Sequence, residues 1–256
     1  MTIKALIFDV DGTLAETEDA HRIAFNRAFA DAGMDWSWDI ATYRHLLLTT
    51  GGKERMRAHA AQVGYTAELN VEALHARKTQ IYKDLVSSGH AQLRPGVECL
   101  IRATRAAGLK LAIATTTSRP NLDALFENTI GLDVLSWFEA ICFGDEVANK
   151  KPDPAIYRLA LDRLNLCASQ CVAFEDSRPG LLSAMGAGIE AVVITPSLYT
   201  AHHDFAEARV VLNDLGSIYS DNEAGSVSCL NVMPDPLPLL MRNCAERSGA
   251  LSDHAS

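Results

Sequence analysis

The sequence predicts an α/β protein: a doubly wound parallel-sheet, Rossmann-like core with a small α-helical cap inserted after the first strand. Three observations predict it. Short apolar runs of strand length alternate with helical stretches. Four of those runs end in polar clusters of complementary types. The alternation fails only between about residues 16 and 92, directly after the first run, where helices and no convincing strand are found. The implied organisation is a first core segment (1–15), a helical cap (16–92), a second core segment (93–220) and a C-terminal tail (221–256).

Ala5-Leu6-Ile7-Phe8 has the length and apolarity of a buried strand and runs into Asp9-Val10-Asp11-Gly12. Gly12 lets the chain turn sharply, so both carboxylates can face one small space. Thr17 is read as an N-cap, Glu18 to Ala32 as a helix, and Gly33 as its stop. Further cap helices are placed at Glu54 to Val63 and Val71 to Ser88, with Trp36 and Trp38 as packing groups between them. Arg94-Pro95-Gly96 punctuates the return to the core, followed by a helix from Val97 to Ala107. Leu109 to Thr115 reads as a strand ending in Thr115-Thr116-Thr117-Ser118, and Pro120 opens a helix to about Asn128. A strand near Ala140 to Phe143 precedes Lys150-Lys151-Pro152-Asp153-Pro154 and a helix to Leu164. Cys171 to Phe174 ends in Glu175-Asp176, with a helix from Pro179 to Met185, and Glu190 to Ile194 and Val210 to Leu212 supply the last strands. Past Asp221 the pattern decays into Gly, Ser, Asn and Pro and reads as a mobile tail.

Composition narrows the function. A formal charge of −9 without a basic run argues against nucleic-acid and anionic-membrane partners. The amino terminus is too short in apolar length for a signal peptide, and no transmembrane-length apolar stretch occurs. The expectation is a soluble cytoplasmic monomer with a small-molecule partner. Six scattered cysteines lack a CxxC pair and read as reduced thiols.

In a doubly wound fold the polar strand ends gather along one sheet edge, where helix N-termini add partial positive charge. Two acids one residue apart repel unless a cation or shared proton intervenes, and oxygen ligands on a short loop suit Mg²⁺. Asp9, Asp11, Glu175 and Asp176 are the candidate metal-site acids, with Asp176 the safer ligand of the adjacent pair. The Thr115 hydroxyl and Lys151 ammonium can hold phosphoryl oxygens. Asp9 is then a feasible nucleophile and Asp11 a general acid and base.

Phe8-Asp9-Val10-Asp11-Gly12-Thr13-Leu14, Ala114-Thr115-Thr116, Lys151-Pro152 and Phe174-Glu175-Asp176-Ser177 resemble, in order, the four motifs of the haloacid dehalogenase-like phosphohydrolases. The insert resembles the C1 cap of the subgroup containing β-phosphoglucomutase and phosphoglycolate phosphatase. Ala15-Glu16-Thr17-Glu18 with His21, Leu48 to Arg55, and Thr115 to Ser118 look like the CbbY type. That resemblance implies a Mg²⁺-dependent xylulose-1,5-bisphosphate phosphatase that removes an inhibitory product of Rubisco. It departs from the pattern at Arg119 and in the tail.

A second, distal phosphate needs cations, for which Lys53, Arg55 and Lys78, read as helical surface residues, are candidates. Glu18, His21, Gly51, Gly52, Thr116, Thr117 and Ser118 complete the expected substrate contacts. The alternatives are a phosphomutase or phosphoglycolate phosphatase using the same Asp9, and, from another class, a receiver-like module in which a phosphorylated Asp9 only signals.

Overall fold

The structure is a computed structural model, which describes residues 2–216. The tail from 221 and the thiols Cys229 and Cys244 lie outside the described residues.

Six strands form one parallel sheet in the order β3-β2-β1-β4-β5-β6: β1 (Ala5–Phe8), β2 (Lys110–Thr115), β3 (Phe138–Phe143), β4 (Cys171–Glu175), β5 (Val192–Ile194) and β6 (Val210–Val211). β1 is central, so its residues have neighbours on both sides: Phe8 pairs with Ile113 of β2 and Phe174 of β4. Its period-two alternation divides the core. Leu6 and Phe8 join a layer with Ile113, Val172 and Phe174, and the Phe8 and Phe174 rings stack at 4.7 Å. Such a pair adds about 0.5–1.5 kcal/mol beyond the area it buries. Ala5 and Ile7 face the other way, into a layer rich in small residues, Ala112, Ala114, Ala140 and Ala173. Small side chains there admit α7 (Ala155–Leu164) and α8 (Arg178–Gly186), which supply Ile156, Tyr157, Leu161 and Leu181. The other face receives Leu100 and Ile101 of α5 (Val97–Ala106) and Leu122 and Leu125 of α6 (Arg119–Glu127).

Between β1 and α5 the chain is helical: α1 (Glu18–Asp31), α2 (Ile40–Leu46), α3 (Gly52–Gln62) and α4 (Val71–Ser87). α2 has no named counterpart in the sequence reading. It is seven residues long, and its start is fixed by Asp39, whose carboxylate accepts the Thr42 N–H at 2.7 Å. These helices enclose an aromatic core in which Trp36 and Trp38 meet Phe29 edge-on, at 5.3 and 4.8 Å. The tryptophans are packing groups, as expected.

The insert leaves and re-enters the sheet at one place. Ala15 bridges antiparallel to Leu93, and Glu16 N–H donates to Gln92 O. Beside this crossing the buried Arg94 guanidinium donates to the carbonyls of Gly12, Thr195, Pro196 and Asn213 and pairs with Glu16 at 3.3 Å. One side chain thus ties the Asp loop, the segment after β5 and the cap crossing together.

Two expectations need correction. Thr17 caps no backbone N–H of α1; its hydroxyl donates to Asp11 Oδ1 at 2.6 Å, the stronger option because the acceptor is charged. Arg55 and Lys78 are not surface residues: they are 8% and 3% exposed. Cys142, Cys167 and Cys171 are free thiols, and no helix among the described residues is long and apolar enough to cross a membrane.

Candidate active site

The carboxyl ends of β1, β2 and β4 open into a cavity whose opposite wall is the cap. Its lining includes Asp9, Asp11, Lys151 and Asp176 from the sheet edge and Glu18, His21, Lys53, Arg55 and Lys78 from the helices.

At the floor, Lys151 Nζ donates to Asp9 Oδ1 (2.7 Å) and Glu175 Oε1 (2.5 Å). Both acids and the lysine are buried, so neither charge could stand alone there. The Tyr157 hydroxyl also donates to Glu175 Oε1, at 2.7 Å, whereas Glu175 Oε2 is buried with no hydrogen-bond partner. One oxygen each of Asp9, Glu175 and Asp176 lie within 4.8 Å of one another. Burial lifts the Asp9 carboxyl to about 7, with Lys151 opposing and Glu175 adding to the shift. Burial, with Asp9 and Glu175 adding to it, holds Asp176 well above the usual carboxylate range. A buried set of three hard oxygen donors under mutual repulsion fits a divalent ion such as Mg²⁺.

The Asp11 side chain is outside that set. Its Oδ1 accepts from Thr17 Oγ1 and lies 3.0 Å from His21 Nε2. Burial would raise its carboxyl, but the imidazole and the Thr17 hydroxyl hold it well below the ordinary range. Lys78 Nζ lies 2.6 Å from His21 Nδ1. As an ammonium, Lys78 has only hydrogens to offer, which leaves His21 Nε2 to carry the proton that faces Asp11. Burial, with Lys78 adding to it, pushes the imidazole below its usual range, and burial brings Lys78 down to about 7. The Lys78 charge sits over the rings of Phe25 and Tyr82 at 4.9 and 5.1 Å.

The other expected residues divide. Thr116, Thr117 and Ser118 line the cavity, while Thr115 is absent from the lining and its oxygen accepts the Thr117 N–H at 3.1 Å. Gly51 and Gly52 also line it; Gly51, at φ 90°, precedes α3, where a Cβ would collide with the Glu54 carboxylate. Lys53 pairs with Glu72 at 2.6 Å and keeps partial exposure. Glu18 Oε2 accepts from the Tyr43 hydroxyl (2.8 Å), which in turn accepts from Arg55 Nη1 (2.9 Å). Arg55 Nε is shared by the carbonyls of Leu46 and Thr49. Tyr43, Tyr157 and His75 are site residues that sequence reasoning missed. Tyr157 follows the Lys-Pro-x-Pro start by three residues, which is the one local signal for it.

Residues 3–188 match the haloacid dehalogenase-like hydrolase family. The chain belongs to the haloacid dehalogenase-like hydrolases. It is 52% identical over 218 residues to protein CbbY of Rhodobacter capsulatus, covering 85% of this chain and 96% of that one. The crystal structure of CbbY from Rhodobacter sphaeroides in complex with phosphate superposes with a TM-score of 0.80 at 43% identity, covering 89% of this chain and all of that one. A mutant of that protein in complex with xylulose 1,5-bisphosphate gives the same TM-score and identity over 88% and 99% of the two chains. Membership makes this chain a hydrolytic enzyme of a phosphatase-containing family, with the expected α/β fold.

Proposed function

We propose that this member of the family is a Mg²⁺-dependent phosphatase acting on a small sugar bisphosphate, xylulose 1,5-bisphosphate, to give xylulose 5-phosphate and phosphate. The observation that carries the reading is the distribution of cations in one cavity. Lys151 stands beside Asp9 at the floor, and Lys53, Arg55 and Lys78 stand on the cap side. A monophosphate needs only the first set; the second suits a distal phosphate. The complex of the similar CbbY with xylulose 1,5-bisphosphate supports this substrate. In this reading the chain works in the cytoplasm beside Rubisco in the Calvin cycle.

Asp9, Glu175 and Asp176 would hold the ion, whose positive charge lets an anionic phosphate approach the carboxylates. Asp9 attacks phosphorus, forming an aspartyl-phosphate as the bond from phosphorus to the sugar oxygen breaks, with Thr13 Oγ1 donating to Oδ2 and Lys151 to Oδ1 of the attacking carboxylate. Lys151 fixes the Asp9 rotamer and screens its charge. Asp11 gives the leaving alkoxide its proton, then takes one from the water that attacks the aspartyl-phosphate and releases phosphate. The arriving phosphate raises the Asp11 carboxyl by like-charge proximity, toward the protonated form that the first step uses. Thr17 and His21 hold Asp11 ready for both transfers, and the cap excludes bulk water from the intermediate.

The test is phosphate release across a panel of sugar mono- and bisphosphates, with Mg²⁺ and with chelator. Xylulose 1,5-bisphosphate should be turned over best, and Asp9→Asn should release no phosphate, because an amide is no nucleophile. Accumulation of an isomeric sugar phosphate in place of inorganic phosphate would identify a mutase instead.

A further inference from the structure

The turn after β5 touches both halves of the molecule. Ser197 O accepts the N–H groups of Thr200 and Ala201 at 3.1 and 3.0 Å, which closes the turn tightly. Thr200 Oγ1 accepts the Ser197 N–H at 2.9 Å and donates to Asp176 Oδ2 at 3.1 Å. Ser197 Oγ lies 3.0 Å from the same Thr200 hydroxyl. The stem of the turn is held by Arg94 through the carbonyls of Thr195 and Pro196. Gly12 of the Asp loop is pressed against it: a Cβ there would run into the Asp176 carboxylate and crowd Ser197.

The two residues between Ser197 and Thr200 face the cap. The Tyr199 hydroxyl donates to Asp19 Oδ1 of α1 at 2.6 Å and accepts from Arg22 Nε at 3.3 Å. Its ring packs edge-on against Tyr43 at 5.6 Å, inside the aromatic core of the insert. Arg44 of α2 donates to the Leu198 carbonyl at 3.0 Å. Residues adjacent in the chain therefore bond the cap on one side and a carboxylate of the acidic set on the other. A four-residue turn closed by its own hydrogen bonds has little room to move one end without the other.

We propose that Tyr199 and Thr200 are positioning residues that couple cap docking to the placement of Asp176, so that the ion is held tightly only when the cap is seated. The inference rests on the metal reading above and deepens it: the cap acts on the floor through this turn as well as covering it. Removing a group that orients a metal ligand typically costs about 10–100-fold in metal affinity.

The experiment is a calorimetric titration of the full chain with Mg²⁺ alone, beside thermal melting in chelator as a check on folding. Thr200→Val, which keeps the shape and removes the hydroxyl, should weaken Mg²⁺ binding roughly tenfold or more. Thr200→Ser should bind as the parent chain does. Tyr199→Phe keeps the ring on Tyr43 and removes the bonds to Asp19 and Arg22, neither of which belongs to the acidic set; it should weaken Mg²⁺ binding about fivefold. The double variant should be no weaker than Thr200→Val, because the hydroxyl through which the cap acts is already gone. Parent-like Mg²⁺ binding by Tyr199→Phe overturns the coupling, and so does a double variant whose loss is the product of the two single losses. If Thr200→Val fails to fold, Tyr199→Phe and Thr200→Ser decide the matter alone. If the parent chain binds no Mg²⁺, the metal reading falls and takes this proposal with it, an outcome distinct from the others.

Discussion

The Tyr157 hydroxyl and the Lys151 ammonium share one oxygen of Glu175, at 2.7 and 2.5 Å, and leave its other oxygen bare. The tyrosine thereby orients a carboxylate whose second oxygen faces no protein donor. Tyr157→Phe removes one hydrogen bond to a buried charge, a loss of about 1.5–3 kcal/mol in stability. It should lower kcat through a looser Lys151 and Glu175 while leaving the cap contacts intact. Thermal denaturation and kcat measured together check this, and a variant equal to the parent in both removes the role.

The acidic set makes the effect of Mg²⁺ depend on pH. Asp9 has a folded value of about 7 against an ordinary 3.8, so between these limits the metal-free folded chain holds more protons than the unfolded one. Stability of the metal-free chain therefore falls as pH rises from about 4 to about 7, and Asp176, shifted in the same direction, adds to it. Mg²⁺ replaces the proton, so its stabilising effect should grow with pH across that window. Melting temperatures with Mg²⁺ and with chelator at a series of pH values measure it. A Mg²⁺ increment independent of pH would argue against these carboxylates as ligands.

Lys53 and Arg55 are two residues apart but should fail differently. Lys53 is partly exposed and paired to an exposed Glu72, so Lys53→Ala should change stability by no more than about 0.5 kcal/mol. Its effect should be a raised KM for bisphosphates with monophosphates spared. Arg55→Ala strips buried partners from Tyr43, Leu46 and Thr49, costing about 1–3 kcal/mol as well as bisphosphate affinity. Equal losses on mono- and bisphosphates would remove the distal-phosphate assignment for both.

Arg94→Lys keeps the charge but has one nitrogen where the guanidinium uses several to reach four carbonyls. The buried carbonyls left without donors should lower stability by about 3 kcal/mol. Urea denaturation of the two chains measures the difference, and an unchanged midpoint would show that water or the lysine satisfies those oxygens.

What the sequence made legible was local. Asp9, Lys151, Glu175 and Asp176 stand at the ends of strands or the starts of helices, and strand ends converge by topology. Their meeting at the sheet edge was therefore readable from order alone. Residues whose role depends on a partner far along the chain were not. Arg55 and Lys78 sit on polar helices, and their burial against Tyr43 and Phe25 depends on other elements of the fold. Asp11 could be placed beside Asp9 by spacing, but the turn of its carboxylate toward Thr17 and His21 is a tertiary choice. β6 spans only two residues where the apolar run predicts three, and β3 begins two residues before its expected start. The β2 and β3 ladder carries a register shift at Leu111 and Ala112, which no pattern in either strand announces.

The crossing at Ala15 and Leu93 brings the two ends of the insert together at a single point beside β1. Between those ends α2 and α3 can change in length without pulling on the strands, since loop closure depends only weakly on the length between, whereas α1 and α4 pack into the layer of Leu6 and Phe8. Under the proposed function, this separates the helices that meet the distal part of the substrate from the strands that carry Asp9. Substitutions within α2 and α3 can change what reaches Asp9 while the register of β1 with β2 and β4 stays as it is.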